Sequence, residues 1–127
     1  MTNHRPAYSD NELFIFLISR ERKHFEVIYT LYSPVIYGFL IRLGLAEKYS
    51  EDILQQTFIT IWNKPVPIVS NNKLSFLSWI VQITIESTKK YLENKGRKFI
   101  IHQKSYPSVS IEFTDVLEHE CKVQHIA

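Results

Sequence analysis

The sequence predicts an all-α fold, a compact antiparallel bundle of about four helices with an irregular C-terminal tail. Three observations carry this. Apolar residues recur at three- and four-residue spacing through most of the first hundred positions, the period of one helical face. The periodic stretches end at sharp breaks, at Gly44, at Asn63-Lys64-Pro65-Val66-Pro67 and at Gly96. Only three glycines occur in the chain, too few for the tight turns of an all-β domain or for a glycine-rich phosphate loop.

At 127 residues the chain has room for one hydrophobic core but not for two domains. The expected organisation is a flexible lead over 1–8, a helical domain over 9–98 and a tail or linker over 99–127. Ser9-Asp10-Asn11-Glu12 has capping-box spacing before the apolar run Leu13 to Ile18, which places a short first helix over about Asp10 to Ser19. A long second helix follows from about Lys23 to Leu43, on the periodic residues Phe25, Ile28, Tyr29, Tyr32, Ile36, Phe39, Leu40 and Leu43. Pro34 lies inside it and is expected to kink or split it, because its ring blocks a backbone bond to the preceding turn.

The third helix, Ser50 to Trp62, is the most informative. Ser50 reads as its N-cap, with Glu51 and Asp52 in a first turn that favours negative charge. Ile53, Leu54, Phe58, Ile61 and Trp62 form the inward stripe. On the opposite side Asp52, Gln55, Gln56 and Ile59 are spaced i, i+3, i+4, i+7 and share one exposed face. An apolar residue ringed by amides suits a helix laid against a partner helix; an ordinary surface with one stray Ile is the alternative.

A fourth helix is expected from about Lys73 to Lys95. Its seam is Phe76, Ile80, Ile83, Ser87 and Tyr91, flanked by Leu77, Trp79 and Thr84, and its outer face includes Ser78, Gln82, Glu86, Lys89 and Glu93. Lys89, Lys90, Lys95, Arg97 and Lys98 cluster around its end against one acid, Glu93. They read either as phosphate contacts or as basic residues that favour a helix C-terminus. The core is expected to hold Phe25, Tyr29, Phe39, Phe58, Trp62, Phe76, Ile80 and Ile83. Beyond Lys98 no period is clean: Ser105 to Ser110 is turn-like, Ile111 to Leu117 reads as a short helix or a strand, and the end is acidic.

Several function classes are disfavoured. The formal net charge of +2 does not by itself imply a nucleic-acid partner. The single Cys121 excludes an internal disulfide and fits a reducing compartment. No membrane-length apolar run and no signal pattern occur, so a cytoplasmic location without membrane contact is expected. His119, Cys121 and His125 lack a fourth ligand and paired-Cys spacing, so no metal or other cofactor is expected. No nucleophile elbow or catalytic carboxylate pair stands out, and an enzyme is not expected.

The order of elements resembles bacterial RNA polymerase sigma factors of the extracytoplasmic-function group, specifically their first helical domain. The residues that carry it are Ser9 to Leu13, Phe25-x-x-Ile28-Tyr29-x-x-Tyr32, the run Glu51-Asp52-x-x-Gln55-x-x-Phe58-x-x-x-Trp62, and Phe76-Leu77-x-Trp79-Ile80-x-x-Ile83. The match covers about Ser9 to Lys98. It implies that the third helix docks on the β′ clamp coiled coil of core RNA polymerase through Asp52, Gln55, Gln56 and Ile59. It also implies contact with −10 promoter DNA by Asn71, Asn72, Lys73, Trp79 and the basic cluster Lys89, Lys90, Lys95, Arg97 and Lys98; Trp79 reads alternatively as core.

The chain departs from the family pattern at Gln56, where an acid is usual, and at Thr84, Ile85, Glu86 and Lys90, where the family has Ala-Arg-Asn and then Asp. Ile85 forgoes a phosphate partner, and Glu86 sets an anion near a polyanion. The helix-turn-helix domain of complete members has no counterpart after Lys98, so the chain reads as a truncated product, a subunit completed by a separate chain, or a stand-alone sigma-like module; an anti-sigma factor is a further partner that the resemblance allows. Three readings follow: a sigma-like initiation factor, a polymerase-binding module without promoter recognition, and a degenerate sigma fragment.

Overall fold

In the computed structural model, which describes residues 8–67, 75–105 and 108–115, four helices are followed by two strands. They are α1 (Asp10–Ser19), α2 (Arg22–Arg42), α3 (Glu47–Asn63) and α4 (Phe76–Asn94), followed by strands β1 (Phe99–Ser105) and β2 (Ser108–Phe113). The helices form a bundle in which α3 packs on α2 and α4, and α1 packs on the same two helices.

The capping box of α1 forms as the spacing predicts. The Ser9 hydroxyl accepts from the Glu12 N–H at 3.1 Å, and the Glu12 carboxylate accepts from the Ser9 N–H at 2.8 Å. Arg20 closes the helix in the left-handed region, with φ 59°. Through Pro34, α2 is continuous rather than split. The carbonyl that loses its partner belongs to Thr30, which is exposed with Pro34, so solvent can take the bond.

Two further expectations about boundaries need correction. Helix α3 starts at Glu47, with Ala46 as an N-cap that makes no side-chain bond, so Ser50 lies inside the helix and is fully buried instead of capping it. Helix α4 starts at Phe76 rather than Lys73, behind a Ser75 cap whose hydroxyl accepts from the Ser78 N–H at 3.0 Å. Gly44 and Gly96 end α2 and α4 at φ 88° and 75°, as the stops predict.

Phe39, Phe58, Phe76, Ile80 and Ile83 are buried as expected, among Leu13, Phe14, Leu17, Ile28, Ile36, Leu40, Ile53 and Ile61. Phe25 and Trp62 are only half-buried, and Tyr29 is 44% exposed. Tyr29 sits at the outer edge of α2, where its ring meets Phe58 at 4.8 Å. Three buried threonine hydroxyls are satisfied within their own helices: Thr57, Thr84 and Thr88 donate to the carbonyls of Ile53, Ile80 and Thr84 at 2.7, 2.8 and 2.7 Å.

The expected irregular tail is, over its described part, an antiparallel hairpin. Phe99 pairs with Phe113, Ile101 with Ile111 and Gln103 with Val109. Burial alternates along β2, with Val109, Ile111 and Phe113 half-buried and Ser108, Ser110 and Glu112 exposed. The inner residues pack on the helical core, and Val109 helps to close a cavity of about 210 Å³ between α2 and α4. This cover explains a second buried side of α4, where Val81 and Ile85 are 5% and 3% exposed.

Candidate functional site

On α3, the four residues at the i, i+3, i+4, i+7 spacing divide into one that is tied down and three that are open. Gln55 and Gln56 are exposed, and Ile59 between them is 54% exposed. The stripe is stiffened from within its helix: the Thr60 hydroxyl donates to the Gln56 carbonyl at 2.9 Å, and the Asn63 amide donates to the Ile59 carbonyl at 3.0 Å. Asp52 instead turns toward α4. Its carboxylate accepts from the Tyr91 hydroxyl at 2.6 Å, with Lys48 at 3.5 Å one turn back along α3. These contacts, the Tyr91 hydrogen bond first, hold its carboxyl below the ordinary carboxylate value.

The expected DNA-contacting residues are scattered more widely. Lys89, Lys90 and Lys98 are exposed. Lys95 lies over the Tyr91 ring at 5.3 Å. Arg97 is engaged by the hairpin: its Nε and Nη2 donate to the Asp115 carboxylate at 3.0 and 3.3 Å, and its guanidinium stacks 4.4 Å over Phe113. The Lys98 N–H donates to the same carboxylate at 2.9 Å. Asp115 is thereby pushed below its ordinary value, by Arg97 first and the Lys98 backbone second.

Trp79 is 8% exposed and packs edge-on to Phe14 at 5.5 Å, so it stands here as a core residue, with no free face for a base. Asn71, Asn72 and Lys73 lie outside the described residues, as do His119, Cys121 and His125. Among the described residues no three His, Cys, Asp or Glu side chains group as metal ligands, and no helix is long and apolar enough to cross a membrane.

Two features change how the departures from the family pattern read. Ile85 is core, so an arginine there would have to leave the interior. Glu86 is met by the Lys64 ammonium at 3.6 Å, which offsets the anion that the sequence places on the outer face.

The structure also joins what the sequence kept apart. A groove between α3 and α4 is lined by Gln56 of the docking stripe together with Ser87, Lys90, Tyr91, Asn94 and Lys95. Sequence reasoning missed Ser87 and Asn94. Ser87 sat on the predicted inner seam, and only the helix pairing shows that this seam opens at its end. The fold and site thus define a small helical-bundle protein with an exposed amide-and-isoleucine stripe beside a lysine-bearing groove. No family model, curated protein or solved structure matches the chain.

Proposed function

We propose that this chain is a sigma-like transcription initiation factor that binds core RNA polymerase through the outer stripe of α3, on the β′ clamp coiled coil. In this reading Lys89, Lys90, Lys95 and Lys98 contact the phosphates of −10 promoter DNA. The single observation that carries it is Ile59, 54% exposed at the centre of Gln55 and Gln56 on a helix whose other side is core. An apolar anchor ringed by amides is the composition of a helix-on-helix contact, and the resemblance supplies the partner.

A second reading, a polymerase-binding module without promoter recognition, is favoured by one specific arrangement. Trp79 is enclosed by the core and Arg97 is engaged by Asp115, which removes two expected DNA contacts.

The test is binding to purified core polymerase. The chain is expected to bind saturably, and Ile59→Glu is expected to weaken binding roughly tenfold or more while keeping its helical circular dichroism. Absence of binding by the folded chain overturns both readings. Binding with no enrichment of promoter DNA in the complex selects the second.

A further inference from the structure

We infer that the groove between α3 and α4 is a binding site for a phosphate-bearing ligand, held by Lys90, Lys95, Ser87, Gln56 and Asn94. The groove has a volume of about 360 Å³, many times that of one water, so it has room for a chain of phosphate groups. All five named residues carry N–H or O–H donors, and two of them are cations. A tetrahedral oxyanion with several acceptor oxygens is the chemistry that such a convergent donor set takes.

Ser87 supplies an independent observation. It is 8% exposed and lines the groove, yet its hydroxyl makes no hydrogen bond among the described residues. Its neighbours Thr84 and Thr88 both donate to carbonyls one turn back. Its oxygen is not sealed in the core but opens on the groove, where water, or an acceptor oxygen that replaces it, takes its hydrogen bond. The side-chain amides of Gln56 and Asn94 and the Lys90 ammonium likewise have no hydrogen bond or ion pair among the described residues.

Asp52 feels the Lys95 charge, but only after closer partners. Its carboxylate is already bonded by Tyr91 and faced by Lys48. The Tyr91 ring in turn holds Lys95 at the groove.

The inference shares Lys90 and Lys95 with the DNA-contact reading and deepens it. A phosphate reaches the groove either as a free polyphosphate-type ligand or as part of a nucleic-acid strand.

The experiment is titration of the full chain with inorganic tripolyphosphate, followed by amide and side-chain NMR shifts. Saturable shifts at Ser87, Asn94 and Gln56 are expected. Lys90→Gln should weaken binding about tenfold and Ser87→Ala several-fold, the loss of charge-assisted bonds, while Lys23→Gln, on α2 and outside the groove, leaves it unchanged. Ser87→Ala places a strong helix former in a helix, so its folding is secure. A single-stranded oligonucleotide that displaces the probe supports the groove with a strand as its source. An oligonucleotide that fails to bind, with the probe still held, supports it with a free ligand and sinks the DNA-contact reading alone. Shifts that do not saturate, or equal weakening by Lys23→Gln and Lys90→Gln, overturn the site.

Discussion

The Tyr91 hydroxyl of α4 donates a 2.6 Å hydrogen bond to the Asp52 carboxylate of α3, tying the candidate docking helix to the helix that bears the lysines. Burial first, then this bond, pushes the phenol from its ordinary 10.0 up to about 12. The Asp52 carboxyl moves the opposite way, below its ordinary 3.8. Its stabilising contribution is therefore fully present above the ordinary value and is lost as pH falls through the lower folded value. The phenol's contribution is present below pH 10 and is lost as pH rises through about 12. Tyr91→Phe is expected to lower the thermal midpoint at neutral pH, with the gap from the parent closing in strong acid. A gap that stays constant from neutral pH down to strong acid would sink the charge-assisted bond.

Two adjacent residues of α3 should behave in opposite ways. Phe58 is 4% exposed and its ring meets Phe25 and Tyr29, whereas Ile59 is 54% exposed. Phe58→Ala is expected to cost about 3–5 kcal/mol in urea denaturation, from lost transfer energy plus the cavity left behind. Ile59→Ala should change stability by roughly 0.5 kcal/mol or less. Comparable losses at both positions would mean that the α3 stripe is part of the fold and not free for a partner.

The base of the hairpin is closed where Arg97 meets Asp115. Arg97 makes two bonds to Asp115 and stacks on Phe113, and the Thr114 N–H donates to the Lys98 carbonyl at 2.9 Å. Arg97→Ala should speed amide exchange across the Phe99 to Phe113 ladder while leaving α3 unchanged. Because the Asp115 carboxyl is held low, acid should release the hairpin in the same way, below its ordinary 3.8. Exchange in the ladder that ignores both the substitution and acid would show that apolar packing alone holds it.

The helices were legible because their period is long and repeated. Leu13, Leu17, Ile28, Ile36, Phe58 and Ile61 keep their spacing whatever packs against them. The hairpin was not legible, although Phe99, Ile101, Val109, Ile111 and Phe113 alternate. Two short strands around Pro107 carry too few repeats to outweigh a loop, and their inner face has meaning only once α2 and α4 lie beneath it. The same gap hid the burial of Val81 and Ile85. The stripe of Gln55, Gln56 and Ile59 could be read from spacing, since exposure on a helix follows from its opposite face. The engagement of Asp52 by Tyr91 could not, because a contact across 39 positions depends on how α3 and α4 pair.

Ser50 provides the last test, at the position where local sequence misleads most. Ser-Glu-Asp before an apolar run resembles a helix start, but Glu47, Lys48 and Tyr49 extend the helix by a turn and draw Ser50 into it. There its N–H bonds to the Ala46 carbonyl at 2.9 Å, and its hydroxyl is buried with no partner among the described residues. An unpartnered buried hydroxyl costs about 1–3 kcal/mol, and serine forms helix less readily than alanine. Ser50→Ala removes the penalty and only one heavy atom, so the void it leaves is small. The expected result is a gain of about 1 kcal/mol and a higher thermal midpoint. Most substitutions of a fully buried residue destabilise, so the sign of the change is diagnostic. A loss of stability on this substitution would mean that the hydroxyl is bonded, and that the start of α3 is held by a contact centred on Ser50.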